Sequence, residues 1–499
     1  MNNRIILISL LVISFILSTY TTIAQPQIEW IYNYGSAENE IGTEVAQTSD
    51  GGYIVVGAQK IGDNSDDWYI LRVNAVGEIE WEKTIGTERF ERARDIKQTA
   101  DDGYIVIGSL EPNGGDDFAI VKLDVDGEIE WQKQYGDNFH ELAHAVTLTA
   151  DGGYVIAGSS NGLGGNNNAS DGQFLKLDAD GNLEWEKRYG GSLSEEVFDI
   201  HETADLGFIA VGCSNSIDGD LTSNNGQNDL WALKMDKDGN LEWSKSYGGF
   251  EDEATRSIQQ SPDGGYIIAG YTRSSDGDVA NYYGGEDAWV LKLDPNGDLE
   301  WEKNYGGQAQ DRALSVQNLS TGGFVVSGWS RSSDGDVGSN IGLIDIWIFE
   351  IDDLGNIQWE QNFGGSGIDQ SFDIKQTTDG GFIVTGNTNS SNVNFTNNLG
   401  GFDLWMMKLA PMPVGLFENN YSENIDIFPN PSSGQFFIKS SDLEDPVAVR
   451  IYDAQGKFIY SDTKADLNQA IFIESVPSGL YFLEVSAEEK SYRQKIWIE

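Results

Sequence analysis

Seven tryptophans, Trp30, Trp81, Trp131, Trp185, Trp243, Trp301 and Trp359, each preceded by Glu or Gln, recur at intervals of 51, 50, 54, 58, 58 and 58 residues. A period of this length means one supersecondary module copied along the chain, each copy burying its apolar faces against its neighbours. Four pieces make up each copy, clearest in the fifth: LEWSKSYG (241–248), Ala254 to Gln260, GYIIAG (265–270) and DAWVLKLD (287–294). Alternation, β-branched and aromatic enrichment, and Gly or Asp punctuation make these strands of an antiparallel sheet. The fourth piece enters the next Trp piece through a tight turn, as in LDADGNLEW (177–185). Asp opens that turn and Gly supplies positive φ, so the string is a hairpin; it lacks the full ligand spacing of an EF-hand loop.

Counting pieces tests closure. The GYIVVG-type strand ends at Gly57, Gly108, Gly158, Gly212, Gly270, Gly328 and Gly386, and the DxWxLKL-type strand begins at Asp67, Asp117, Asp171, Asp229, Asp287, Asp345 and Asp403. After the last, Met407-Lys408-Leu409 leads into Ala-Pro-Met-Pro rather than another Trp strand. The missing strand is already present at 28–35, and a strand from the chain start completing the last sheet closes a ring and removes its free edges. The expected fold is all-β: a seven-bladed β-propeller over 28–409, a linker over 410–424 and a small antiparallel β-sandwich over 425–499. The DxxGxxxW turn resembles the tryptophan-docking repeats of quinoprotein-type propellers, and the Gly-Gly, aromatic, Trp order is similar to kelch-type repeats.

The two ends address export. Arg4, the mostly apolar run Ile5 to Leu17 and the small residue at Ala24 read as a secretory signal over 1–24, too short to span a bilayer, with the mature chain beginning at Gln25. The tail carries Pro429-Asn430-Pro431 with Gly434, the turn from Asp453 to Lys457, the run Pro477-Ser478-Gly479-Leu480-Tyr481, and Lys490 with Lys495. It resembles the type A C-terminal sorting domain of the type IX secretion system of Bacteroidetes. That resemblance implies the type IX machinery as a partner, export across the outer membrane, and release or surface attachment with the tail removed. No later stretch is long and apolar enough to be a transmembrane segment. With 31 Lys plus Arg against 80 Asp plus Glu, a net charge of -49, nucleic acid and anionic lipid are poor partners. Cys213 is the one cysteine, so no intramolecular disulfide forms.

His140-Glu141-Leu142-Ala143-His144 spells the zinc-protease string HExxH. That chemistry needs both histidines one helical turn apart, whereas in a strand residues four apart lie about 13 Å apart. Register against the other copies makes Glu141 a shared acid, equivalent to Glu40, Glu91, Glu195, Glu253, Asp311 and Asp369. His144 falls in a column with Thr43, Arg94 and Phe198, without fixed chemistry. An acid at the same place in every copy is expected to accept turn N–H groups, and the seven tryptophans to pack between blades.

Function is therefore sought where the copies differ. From the strand-end glycine to the next Asp, the loops span 10, 9, 13, 17, 17, 17 and 17 positions. Three long loops carry Asp218-Gly219-Asp220, Asp276-Gly277-Asp278 and Asp334-Gly335-Asp336, replaced by Asn392-Val393-Asn394 in the fourth. The paired aspartates Asp218, Asp220, Asp276, Asp278, Asp334 and Asp336 are candidate calcium ligands, since that cation takes six to eight oxygens; they are equally good turn formers. Tyr282, Tyr283, Trp329 and Phe395 are candidate ligand contacts, being aromatics not shared by every copy. The expected role is a secreted or surface-attached binding or adhesion module for an extracellular glycan or protein. A polysaccharide-active hydrolase or lyase is the alternative, and a quinoprotein oxidoreductase a third reading that lacks an adjacent cysteine pair.

Overall fold

The computed structural model describes residues 25–411 and 425–498, apart from 63–64, 88, 111–115, 137–139, 162–168, 222, 433, 441–446, 454–457, 468, 474–475 and 488–489. The signal segment and nearly all of the linker lie outside these residues. From Ile28 to Leu409 the chain forms seven four-stranded antiparallel sheets. The fifth blade contains Glu253–Gln260, Tyr266–Thr272, Asp287–Leu293 and Leu299–Tyr305, from the axis outward. Each blade is thus offset by one strand from the sequence copy, since the Trp strand opening a copy is the outer strand of the preceding blade. The first Trp strand, Ile28–Tyr34, accordingly pairs with Asp403–Leu409 and completes the seventh sheet. Each inner strand touches those of the blades on either side, and the seventh touches the first. The ring is closed.

Burial follows position. The second and third strands of a blade are sandwiched between neighbouring blades and read as continuous apolar runs, as in Asp287–Leu293, buried throughout. The outer Trp strand is half-exposed and alternates. Its tryptophan packs on the following blade, as Trp243 does edge-on against Tyr266 with ring centroids 6.0 Å apart. Two residues beyond Lys245, the Tyr247 hydroxyl donates to the Gly297 carbonyl of that next blade at 2.5 Å. Tyr34, Tyr135, Tyr189 and Tyr305 make the same hydrogen bond to the Gly77, Gly181, Gly239 and Gly355 carbonyls, while Ile85 and Phe363 take that place at the other two junctions. Aromatic and apolar packing thus joins every blade, and the hydrogen bond is added at five.

The glycine near the end of each second strand has a steric cause. A Cβ at Gly57, Gly108, Gly158, Gly212, Gly270, Gly328 or Gly386 would stand 1.7 to 2.2 Å from a backbone carbonyl oxygen of the inner strand. That close approach accompanies a β-bulge in every inner strand, which leaves Thr43, Arg94, His144, Phe198, Arg256, Leu314 or Phe372 without a partner in the register. A bulge re-aims a side chain, and here it re-aims one per blade on the strands that surround the axis.

The tail forms a three-stranded and a four-stranded sheet around one shared core that includes Phe436, Ile438, Val449, Ile451, Leu483 and Ile496. Among the described residues no helix is long and apolar enough to cross a membrane.

Candidate functional site

The seven shared acids are all fully buried. Glu253 shows their role: one carboxylate oxygen accepts the Gly249 N–H at 2.8 Å and the other the Thr272 hydroxyl at 2.6 Å. Glu195 does the same with Gly191 N–H and the Ser214 hydroxyl, each at 2.7 Å. Glu91, Asp311 and Asp369 likewise accept the N–H of Thr87, Gly307 and Gly365, so in five blades the acid fastens the entry loop, as expected. At the blade junctions they lie beside the aspartates that begin the third strands. Burial, then the neighbouring carboxylates, pushes Asp229 and Asp287 up to about 7 and Asp345 to about 6, the backbone N–H each accepts pulling the other way. All three are fully enclosed, so they serve the junction and not an incoming substrate.

The Asp-Gly-Asp loops are latches of the same kind. Asp218 Oδ1 accepts Ser192 N–H at 2.8 Å, Asp276 Oδ1 accepts Phe250 N–H at 2.9 Å and Asp334 Oδ1 accepts Gln308 N–H at 3.0 Å. Asp220, Asp278 and Asp336 accept the N–H of Gly190, Gly248 and Gly306 through Oδ2. In the seventh blade Asn392 and Asn394 keep both bonds, to Ser366 and Gly364 N–H. A neutral amide does the same work, so acceptor geometry rather than charge is what the position requires. No group of three or more His, Cys, Asp or Glu is arranged to hold a metal among the described residues.

The four loop aromatics have different fates. Phe395 is 1% exposed and packs against Trp405, filling its own loop. Tyr282 turns its hydroxyl onto the Gly285 carbonyl at 2.9 Å. Trp329, 6% exposed, has Arg312 at 5.1 Å and Arg331 at 5.9 Å from its ring centroid. Tyr283 alone of the four faces solvent, at 46%. HELAH lies at the start of the inner strand Glu141–Leu148. Its first histidine is exposed 3.2 Å from Asp116, and its second stands over Phe198 at 5.2 Å.

Register places the long loops and the entry loops at one end of the ring, the loop face, and the short hairpins at the other. On the loop face Ile217, Phe250, Leu343, Val393 and Leu399 are 48 to 71% exposed beside Tyr283. Arg312 lies over Tyr271 at 4.1 Å and donates from Nε to buried Glu286 at 2.5 Å.

Inside the ring, Asp95 Oδ2 accepts Val146 N–H at 2.8 Å, Asp199 accepts Ile258 N–H at 2.9 Å and Asp373 accepts Val45 N–H at 3.1 Å, each from the next blade. The last of these crosses the ring closure. Lys97 bridges Asp95 and Glu44 at 2.5 and 3.2 Å, and Lys375 bridges Asp373 and Glu44 at 2.7 and 2.9 Å. Burial drives Asp95 and Asp373 up to about 6. At Glu44 burial acts upward too, but Lys375 and Lys97 outweigh it and the net shift is downward. This network ties the inner strands of the seventh, first and second blades together with charges that are internally paired.

Sequence reasoning did not foresee the exposed apolar rim or the axial cluster. The column containing His144 was a signal for the bulged positions next to that cluster: its chemistry differs from blade to blade, and each of its residues falls at a bulge.

Residues 426–499 match the model of the secretion system C-terminal sorting domain. The tail is a secretion system C-terminal sorting domain. Its Pro-Asn-Pro element has a visible role: Asn430 donates to the Lys495 carbonyl at 2.8 Å and accepts Trp497 N–H at 2.8 Å, clamping the last strand. Such a sorting domain implies the secretion machinery and export to the cell surface or medium. The chain is 26% identical over 201 residues to the regulatory protein FlaEY of Caulobacter vibrioides, a match covering 36% of this chain and 20% of that protein's length. Among solved structures it is similar to the WD40 domain of Neurospora crassa Pan2, with TM-score 0.44 and 12% identity over 75% of this chain and 95% of that one. It is also similar to PorZ, a surface component of the type-IX secretion system of Porphyromonas gingivalis, with TM-score 0.39 and 10% identity over 90% of this chain and 58% of that one. The propeller assignment rests on the seven-sheet topology itself.

Proposed function

We propose that this exported propeller is a binding or adhesion module that holds an extracellular macromolecule, a glycan or a protein, on its loop face. The observation that carries the reading is the exposed apolar rim, Ile217, Phe250, Tyr283, Leu343, Val393 and Leu399, on loops latched to the scaffold. Large apolar side chains held in water by ordered loops lose little entropy when a partner covers them. Within the same reading residues 1–24 are a removed signal, 28–409 the binding unit and 425–499 the sorting unit. The mature protein is secreted or stays on the surface.

Shortening loops 274–285 and 332–343 tests this. Retention on glycan and protein arrays is expected to disappear while the far-ultraviolet spectrum and melting midpoint stay those of a folded propeller. Undiminished retention by the shortened protein, or turnover of a polysaccharide by the pure protein, would refute it.

A further inference from the structure

Arg94 and Arg256 stand apart from the other cations of the axis. Both sit at bulge positions of inner strands, in the second and fifth blades, about 7 and 10 Å along the strand from its loop-face end. Neither makes a hydrogen bond or ion pair with any described residue, whereas Arg92 pairs with Asp66, Arg312 with Glu286, and Lys97 and Lys375 with the axial carboxylates. Arg256 lies with its guanidinium 4.0 Å from the Phe198 ring centroid, and His144 meets the same ring at 5.2 Å. Water reaches Arg256, while Arg94, His144 and Phe198 are half-buried. One nitrogen of His144, Nε2, is enclosed without a hydrogen-bond partner.

Leaving two guanidinium groups unpaired beside each other is costly. Burial, reinforced by Arg92 and Arg256, lowers Arg94 to about 10, and burial also lowers Arg256. Burial followed by the two arginines drives His144 well below its ordinary value, so it is neutral at pH 7. In a chain with 80 acidic residues a carboxylate neighbour would be the easiest remedy, yet Glu196 influences both arginines without reaching ion-pair distance. The pocket therefore presents uncompensated positive charge, a planar aromatic wall and an unfilled polar group.

We propose that Arg94, Arg256 and His144, with Phe198 as their wall, form an anion site in the axial channel that takes a carboxylate group of the propeller's ligand. Phe198, stacked under Arg256, holds the guanidinium in place so that its N–H fork is left for a planar carboxylate, and His144 supplies a further N–H. The strongly negative surface repels polyanions at long range, so an isolated carboxylate suits the site better than a charged polymer. This inference rests on the binding reading above, and adds the chemistry of the group bound.

The full-length protein has three histidines, so histidine-selective isotope labelling yields three resonances, assignable with His→Gln variants. Titration with glucuronate and with N-acetylphenylalanine, a sugar acid and a peptide-terminus mimic, is expected to shift the His144 signal saturably and leave exposed His140 unmoved. The tighter of the two names the source of the group. R94Q/R256Q should weaken the response about tenfold or more, with an equal or higher melting midpoint, because relieving two charges that have no hydrogen bond or ion pair offsets the lost contact of Arg256 with Phe198. R94K/R256K keeps the charge without the fork and should fall between, which covers the case of a misfolded double glutamine variant. No saturable shift up to about 50 mM carboxylate, an unchanged isotherm in the variants, or saturation by inorganic phosphate and sulfate alone would overturn the assignment. Carboxylate binding without array retention would refute only the loop-face reading; array retention unchanged in R94Q/R256Q would refute only the channel site.

Discussion

Replacing both latch aspartates of the fifth blade separates a structural from a metal-binding role. Asp276 and Asp278 accept the N–H groups of Phe250 and Gly248, each through a single oxygen, at 2.9 and 3.1 Å. D276A/D278A orphans both donors, at about 1–3 kcal/mol each, or roughly 2–6 kcal/mol for the pair if both stay dry. Water can reach the Phe250 end, which is exposed, so the lower half of that range is expected. D276N/D278N keeps an acceptor at each place, as Asn392 and Asn394 do in the seventh blade, and should cost less than about 0.5 kcal/mol. Hydrogen exchange at Gly248 and Phe250 is the sensitive assay, because local opening speeds up about tenfold per 1.4 kcal/mol whereas the melting midpoint of so large a unit moves by no more than about 2 °C per kcal/mol. Exchange should accelerate in the alanine variant, stay near parent in the asparagine variant, and ignore chelator in both. If asparagine is as damaging as alanine, and chelator accelerates exchange only in the parent, the loops bind calcium through charge and the latch explanation fails.

Two other expectations concern the whole ring. Asp229 and Asp287 have folded-state values raised from 3.8 to about 7, so the folded protein holds protons the unfolded chain has released, and their contribution, at most of the order of 4 kcal/mol each, is present below pH 4 and lost as pH rises toward 7. Asp101 and Asp205, lowered to about 2, act oppositely and only below pH 4, which places the stability maximum near pH 4; a melting midpoint flat or rising between pH 4 and 7, or a slope unaltered in D229N/D287N, would contradict this. Removing residues 25–35 exposes the edge of Asp403–Leu409 and should yield self-association on size-exclusion chromatography, reversed by a peptide of that sequence added in trans; a monomer with parental melting would show that the first strand is dispensable.

Much of this molecule is legible in one dimension because its packing is periodic. Trp243 meets Tyr266, and Glu253 meets Gly249 and Thr272, within or between adjacent copies, so the column containing each residue already states its partner. The same regularity separated the shared acid Glu141 of HELAH from the two histidines, whose columns have no fixed chemistry. What the columns could not state is direction. Val393 and Phe395 are both loop hydrophobics, yet one is 60% exposed and the other 1%. Likewise nothing in the order of residues says that Phe198 will stand under Arg256 from the next blade.

The tryptophan period and the count of strands determined the closed seven-bladed ring, and the motifs of the tail determined export, since each depends on local pattern repeated or recognised along the chain. Only the tertiary structure decided what lies at the axis. A glycine too close to a carbonyl to carry a side chain accompanies a bulge in each inner strand, and ring closure brings the bulged residues of separate blades together. Arg94, His144, Phe198 and Arg256, spread over 163 positions of sequence from 94 to 256 counted inclusively, thereby share one pocket, because closure converts equal positions in successive copies into neighbours around a single channel.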